Sequence, residues 1–450
     1  MSGKLVPCNV FVKILTLMLA VMLLDALGWS QHISRLERER AQVMLDAVSS
    51  DVRKQYYDPK LHGLDWDAKV RDAKEQIAQT TSLDVAFTEI AAALEALDDS
   101  HTFFIPPRRT VRVDYGWRWQ MVGKRCYVTH VRPKSDAEAK GMKPGDQVLT
   151  INGFTPTRDD LWKMEYALIL SPQRGLQVEL LDPSRKLHTL DVQASVRPAK
   201  DILDFGDLLG RDAWGVQLME EEERRLARVR YKELGPDLMI MKVPEFSQTD
   251  LEVEGMLDKA RKHKALIIDL RGDPGGSEET LQNWIRGFFA NDVKIADRVS
   301  RGKTTPVMAK NKRHDVYSGS LSVLVDSSSA SAAEAFARVM QIEKRGTVLG
   351  DHTSGATMEG TICVHQTGIN PTYIFGALVS QAELLMTDGK SIEHVGVTPD
   401  ETILPSATDL ANGLDPVMSR AAELAGVKLD SKSAGELFPS EWPRNPPYAF

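Results

Sequence analysis

A run of small hydroxyl residues, SSSASAAEAF at 327–336, follows the apolar stretch SVLVD at 322–326 and reads as the entry to a helix. A serine in that place has an exposed hydroxyl, alanines beside it admit a substrate backbone, and the helix N-terminus favours developing negative charge. The same composition also makes an ordinary N-cap. A second stretch, DLRGDPGG at 269–276, puts Gly275 and Gly276 directly after Pro274. Backbone N–H groups can converge there on one point, as an oxyanion hole requires, although a plain strand-to-helix turn uses the same residues. A serine hydroxyl is scarcely ionised near neutral pH, so its use as a nucleophile demands a base, and histidine is the unperturbed side chain whose pKa suits. His101 in LDDSHTFFIPP (97–107), His352 in GDHTSGA (350–356) and His394 beside Glu393 all lie in loop-like segments.

The elements that must position these residues alternate. From about residue 200, the buried-strand candidates LMIMKVPEF (238–246), ALIIDLRG (265–272) and SVLVD interleave with the helical patterns DLEVEGMLDKARKH (250–263) and AAEAFARVMQIEK (332–344). That order predicts an α/β domain with a partly parallel sheet, and both stretches fall at carboxyl ends of strands, where such sheets build their sites. Residues 33 to 98 read as three helices. The first carries Val43, Ala47, Val48, Val52 and Tyr56 on one face, and DWDAKVRDAKEQIA (65–78) is the second. The third has a stripe of Leu83, Phe87, Ile90, Leu94 and Leu97 behind a Thr81 to Asp84 capping pattern. Residues 113–197 change to short alternating strands such as RCYVTHVRP and QVLTING, with a GMKPGD turn (141–146) and a helix over RDDLWKMEYALIL (158–170).

Composition narrows the function classes. At 450 residues with 42% hydrophobic content the chain buries a core and has room for two or three domains. Its 56 Lys+Arg against 63 Asp+Glu give a net charge of -7, with no basic block of the kind that tracks phosphates, so nucleic acid is not an expected partner. Cys8, Cys126 and Cys363 form no CxxC pair, which signals neither a zinc site nor a disulfide framework and leaves one Cys126 to Cys363 bridge open. Lys4 and Lys13 precede the apolar run ILTLMLAVMLL (14–24), Asp25 stops it, and Ala26 to Gly28 supply small residues. This reads as a secretory signal peptide, since a membrane span needs about 20 apolar residues; an uncleaved anchor is the competing reading. The mature chain would then work outside the cytoplasm, secreted or periplasmic, with no membrane insertion beyond the signal.

The string SDAEAKGMKPGDQVLTING (135–153) closely resembles PDZ domains. The resemblance implies a groove that captures a peptide carboxyl terminus as an added strand while backbone N–H groups hold the carboxylate. Tyr115, Gly116, Trp117, Arg118 and Trp119 would form the binding loop. It departs from the usual Gly-Leu-Gly-Phe pattern, and Trp117 and Trp119 either close the groove or fill core. In combination, the helical N-terminal segment, this insert, DLRGDPGG, SASAAEAF and the GVTPD ending (396–400) resemble the carboxyl-terminal processing, or tail-specific, protease family over about residues 40 to 405. By that match Ser331, three residues before Glu334, is the nucleophile, and Ser327, Ser328 and Ser329 support the turn. The oxyanion donors would be the N–H groups of Gly275 or Gly276 and of Ala332.

Members of the Ser-Lys type carry the base as the lysine of a G-x-x-T-x-G-K loop. Here the matching loop is GDHTSGA, and Ala356, which accepts no proton, stands in the lysine's place. The tricorn branch of the same superfamily uses a histidine preceded by a serine, with a glutamate near the end of the core. Ser100, His101 and Glu393 match it in order and context. The resemblance therefore implies His101 as general base and then acid, Glu393 as the group that orients and stabilises the imidazolium, and Ser100 as a hydrogen-bonding support. His352 is the runner-up base.

The expected fold class is α/β: a signal peptide at 1–28, an N-terminal helical region at 29–112, an inserted PDZ domain at 113–197, and an α/β serine protease core of the ClpP/crotonase type at 198–405. A tail follows at 406–450, whose end FPSEWPRNPPYAF (438–450) suggests an extended segment that docks on the core, on a partner or in its own PDZ groove. The expected function is that of a secreted serine endopeptidase acting on proteins or peptides with exposed carboxyl termini, needing no metal and no organic cofactor. Two other classes stand beside it: an inactive pseudoprotease that keeps only peptide capture, and a different hydrolase or ligand carrier, as retinoid-binding relatives of the fold imply.

Overall fold

Parallel pairing of short apolar strands builds the core. The computed structural model describes residues 33–109, 111–198, 225–311, 315–368 and 372–442; the expected signal peptide at 1–28 lies outside the described residues. Strands β10 (Leu238–Lys242), β11 (Ala265–Asp269), β14 (Ser320–Val325), β15 (Thr347–Gly350) and β18 (Glu401–Thr402) run parallel, and β9 (Arg230–Leu234) closes the sheet antiparallel to β10. Strands covered on both faces need unbroken apolar runs, and all of ALIID in β11 is buried. One face packs helices α6 (Asp250–Ala260), α7 (Glu278–Arg286) and α8 (Ala332–Ile342) through Leu257, Trp284 and Phe336. The other face is covered by α10 (Pro416–Leu424) and α11 (Ser431–Gly435), which follow α9 (Ala407–Ala411), through Val417, Met418 and Ala434. The segment after 405 thus begins as helices on the core, and an extended course starts only beyond them. Arg271 holds this cover in place by forking onto Asp269 and onto Asp415, the N-cap of α10. Burial alone would raise the Asp269 carboxyl, but the Arg271 and Lys242 charges beside it hold it well below its usual value.

A second, antiparallel sheet is organised by the long strand β17 (Tyr373–Met386), which pairs with β16 (Glu359–Thr367), β1 (Phe103–Ile105) and β12 (Val293–Ser300); β13 (Lys303–Ala309) pairs with β12. Helices α1 (Arg35–Gln55), α2 (Trp66–Gln79) and α3 (Leu83–Glu95) pack on it, with Leu45, Ile77, Ile90, Phe104 and Val379 in one cluster. The buried face of α1 is Ala41, Met44, Leu45, Val48 and Val52, while Val43 is 52% exposed. That i, i+3, i+4, i+7, i+11 set turns Val43 outward, which corrects the face expected from sequence. The cap of α3 is Ser82, whose hydroxyl accepts from the Val85 N–H at 3.2 Å, and not Thr81.

Residues 111–198 form a unit with its own core. Strand β2 (Val111–Asp114) pairs with β8 (Ser195–Pro198) at its base. An antiparallel sheet then runs in the order β3 (Trp117–Val122), β4 (Arg125–Val131), β5 (Gln147–Ile151), β6 (Gly175–Leu181), β7 (Leu187–Gln193), packed by α4 (Asp136–Ala139) and α5 (Leu161–Leu170). Among the described residues, strand β3 is an edge, paired with β4 alone. Trp117 and Trp119 pack on each other at 4.4 Å between ring centroids and join this core, so core filling is the role their contacts support. Cys126 is buried here and Cys363 on β16; both are free thiols, so the bridge left open by the sequence is not formed.

Because Phe104 is fully buried between α3 and β17, Phe104→Ala is expected to lower unfolding free energy by about 3–5 kcal/mol, whereas Val43→Ala on the outer face of α1 stays within about 0.5 kcal/mol. Urea denaturation of the two variants checks the phase of α1 and the anchoring of β1 together.

Candidate active site

The turns that leave β10, β11, β14 and β15 all emerge at the carboxyl edge of the parallel sheet. The first two lock together: the Phe246 N–H donates to the Gly275 carbonyl and the Ser277 N–H to the Phe246 carbonyl, both at 2.7 Å. Gly276, at φ 141°, passes so close that an added Cβ would stand 2.3 Å from the Phe246 oxygen. Gly275, at φ 101°, touches the third turn instead, since a Cβ there would lie 2.6 Å from Ser331 Cβ and 2.9 Å from the Ala332 nitrogen. Both glycines are therefore required by space as well as by backbone conformation.

Ser331 precedes α8 with φ 53° and ψ -118°. A non-glycine residue at such angles costs about 1–3 kcal/mol and persists only where its surroundings fix it. They do so here. The Ser331 N–H donates to the Ala356 carbonyl at 2.7 Å and reaches the Glu334 carboxylate at 3.1 Å, and the Ala330 N–H donates to the Asp273 carbonyl at 2.9 Å. Ser329 donates its hydroxyl to the Leu270 carbonyl at 2.8 Å, and Ser327 donates to the Met121 carbonyl at 2.6 Å, so these two serines are structural hydroxyls of the turn.

Glu334 is the centre of this arrangement, and the sequence used it only as a landmark. Fully buried, it accepts hydrogen bonds from the Thr353 hydroxyl and from the N–H groups of Gly355 (2.7 Å), Ala356 (2.9 Å) and Ser331. Burial pushes its carboxyl up to about 7 in spite of these donors. Ala356, at the position of the missing lysine, thus serves through its backbone: its oxygen holds Ser331 and its N–H holds Glu334.

The next residue leads to the histidine. The Thr357 N–H donates to Glu393 Oε2 at 2.7 Å; the same carboxylate accepts from the Ser100 hydroxyl at 3.0 Å and the Ser100 N–H at 2.8 Å. Ser100 Oγ lies 2.7 Å from His101 Nδ1. Glu393 therefore reaches His101 through the serine hydroxyl. Since that hydroxyl's one proton points to the carboxylate, it accepts from Nδ1–H, which leaves Nε2 of the neutral ring with a free lone pair. Burial lowers the His101 pKa below its ordinary value, while the charges of Glu393 and Asp99 draw it back up. Asp99, to which the sequence assigned no role, is buried and accepts from the Tyr56 hydroxyl at 2.7 Å, the Ser380 hydroxyl and the His101 N–H at 3.0 Å. It clamps the backbone of His101 between the helices and β17.

His352 faces elsewhere, and His394 borders the relay at its exposed side, with Nε2 3.7 Å from Glu393 Oε1. His352 Nδ1 lies 3.1 Å from the Thr353 carbonyl with its ring against Gly396, and the exposed His394 places Nε2 3.0 Å from the Asp98 carbonyl. Of the oxyanion donors expected from sequence, the Gly275 N–H is turned to Asp273 Oδ1 at 2.7 Å. The Ala332 N–H heads α8, where an amide has no intrahelical acceptor. Asp273 is fully buried with Oδ2 unpartnered, and burial raises its carboxyl well above the usual value. The loop residues 115–119 stand apart from this cluster: the Tyr115 hydroxyl donates to the Gln173 carbonyl at 3.1 Å, and Arg118 meets the chain's end near Ser440.

The parallel sheet with its four turns, residues 237–403, matches the family model described as peptidase family S41. This core is a member of peptidase family S41. The chain carrying this S41 core is 25% identical to carboxyl-terminal-processing peptidase 3, chloroplastic, of Arabidopsis thaliana over 368 residues, 78% of this chain and 66% of that protein. It is also 25% identical to putative tricorn protease homolog 2 of Streptomyces coelicolor over 404 residues, 86% of this chain and 32% of the relative. The chain thus spans less than two thirds of these relatives' own length. Among solved structures, mature CPAF complexed with lactacystin matches with a TM-score of 0.62 at 14% identity, over 87% of this chain and 98% of that one, a likeness of fold. The α/β class with N-terminal helices, expected from sequence, is therefore that of S41 peptidases.

Two outcomes test the S41 core's packing. Gly275→Ala is expected to displace Ser331 and abolish turnover while the chain remains folded by circular dichroism. Glu334 has its folded-state pKa raised, so the stability it contributes is full below about 4.5 and is lost as pH rises through about 7. Urea titrations at pH 4.5 and pH 8 should show the wild type losing stability relative to Glu334→Gln over that window.

Proposed function

We propose that the protein is a serine endopeptidase in which Ser331 is acylated, His101 is general base and then acid, and Glu393 acts on the imidazole through Ser100. The observation that carries this reading is the continuous path from Glu393 through Ser100 to His101 Nδ1, joined to the Ser331 turn by the adjacent residues Ala356 and Thr357. As Ser331 attacks a peptide carbonyl, His101 Nε2 takes its proton, and the resulting imidazolium is stabilised by Glu393 through the intervening hydroxyl. Negative charge on the carbonyl oxygen falls to the N–H of Ala332, at the N-terminus of α8, and of Gly276, since the Gly275 N–H is taken by Asp273. The retained relay favours an active enzyme over a peptide-binding pseudoprotease.

Residues 113–197 are proposed to be a PDZ domain that receives substrate carboxyl termini. Supporting this are the free edge of β3, to which a peptide strand can add, and two contacts with the catalytic turns: the Ser327 hydroxyl on the Met121 carbonyl, and the Arg158 guanidinium on Asp351 and on the His352 carbonyl. A cleaved leader over residues 1–28 would place the enzyme outside the cytoplasm.

The test is digestion of an unfolded protein by the chain lacking residues 1–28. Ser331→Ala is expected to abolish cleavage and His101→Ala to lower kcat/KM by about 10² to 10⁴, the usual worth of general-base assistance; cleavage surviving intact in His101→Ala would remove His101 from the mechanism and move the base to His352 or elsewhere. Because burial lowers the His101 pKa, the ring stays neutral to lower pH, and the acid limb of kcat/KM is expected below the ordinary value of about 6.5.

A further inference from the structure

Five arginines from two parts of the fold converge on two consecutive residues near the end of the chain. The Glu441 carboxylate pairs with Arg225, with Arg228 at 3.4 Å and with Arg230 at 3.4 Å. The Trp442 indole lies under two more guanidinium groups, with the Arg118 carbon 4.5 Å and the Arg132 carbon 4.6 Å from its ring centroid. The same arginines grip the backbone: Arg230 donates to the Pro439 carbonyl at 3.1 Å, Arg118 to the Glu441 carbonyl at 3.1 Å, and Arg225 to the Trp442 carbonyl at 3.3 Å. Arg118 sits on β3 and Arg230 opens β9, the edge strands of their respective sheets, so the tail spans from one sheet to the other. Arg132 is held in position by Asp114 at 3.1 Å and by its own N–H on the Gly116 carbonyl at 2.7 Å.

The chemistry of this cradle is selective. Carbonyl contacts accept any extended peptide, but three guanidinium groups around one carboxylate and two over one aromatic face require an acidic residue followed by an aromatic one. Lysine or histidine at the first place would meet like charge, and an aliphatic residue at the second would forfeit both cation–π contacts. Its occupant follows α11 and stays on the core through Leu437 and Phe438, and such an intramolecular connection supplies an effective concentration of the order of millimolar, within reach of a competing peptide.

We propose that Arg118, Arg132, Arg225, Arg228 and Arg230 form a recognition site for an extended peptide bearing an acidic–aromatic pair, filled in cis by Glu441 and Trp442, from which a second peptide of the same chemistry displaces the tail. The site is separate from the proteolytic one and its test does not require turnover.

The experiment uses a fluorescent peptide of the sequence LFPSEWPRN, corresponding to residues 437–445, and fluorescence anisotropy with the full chain carrying Ser331→Ala, so that the probe is not cleaved. A second chain adds Glu441→Gln and Trp442→Ala to empty the cradle. The emptied chain is expected to bind the probe at least tenfold more tightly than the chain with its own tail, and Glu441→Gln alone to fall between them. Adding Arg118→Ala and Arg132→Ala to the emptied chain should weaken binding at least tenfold, as should a probe with Gln and Ala in place of its Glu and Trp. Thermal melts of each chain separate loss of the site from loss of fold. Equal probe binding by the two chains, no binding by a folded emptied chain, or equal binding of the altered probe would each overturn the proposal.

Discussion

A buried carboxylate under a strained serine is the constraint on which the rest of the site depends. Ser331 stands at φ 53° and ψ -118°, a combination outside the regions open to an L-residue, and Glu334 accepts its N–H from within the core. The same carboxylate takes the amides of Gly355 and Ala356 and the hydroxyl of Thr353, so one side chain fixes the start of α8 and the loop after β15 as a single piece. The serine turn so fixed passes close enough to residue 275 that only glycine fits there. Burying an acid there is costly, as the upward shift to about 7 records, and four donors offset that cost.

The loop that Glu334 holds is the one from which a lysine is absent. With alanine at 356 the loop offers no base, and its backbone becomes a bridge: the Ala356 carbonyl takes Ser331, and the next amide takes Glu393. His101 comes from the other end of the chain, delivered by β1, whose pairing with β17 sets it beside the hairpin of β16. Asp99 fastens that delivery by joining Tyr56 of the helical cap, Ser380 of β17 and the His101 amide. The N-terminal helices are therefore part of the positioning apparatus of the histidine as well as a cover for the second sheet.

Most of what surrounds the nucleophile was legible in the sequence because it is local. Runs such as ALIID and SVLV declare buried parallel strands, and the turns that follow them have to emerge on one edge. The expected places of Ser331, Gly275 and Gly276 rest on that logic. Less legible were β12, β13, β16 and β17: β17 takes β1 and β12 from far along the chain, and β16 leaves Ile362 and Val364 exposed, so the strands show no clean alternation. The helices after residue 405 were read as tail because their apolar faces are short and match only the far side of the parallel sheet.

By itself the sequence determined the residue types of the chemistry: a serine at a helix entry, a glycine pair, a histidine after a serine, and the loss of the lysine at 356. The first two follow from residue types and spacing along the chain, whereas the pairing of the histidine with its serine and the reading of Ala356 as a lysine's place were implied by the family resemblance. Only the tertiary structure decided how the groups connect. It routed Glu393 to the imidazole through Ser100, turned the Gly275 amide to Asp273, and made Glu334 the support of Ser331. Such links join residues up to 293 positions apart, and a hydrogen bond depends on distance and angle in space, which no spacing along the chain encodes.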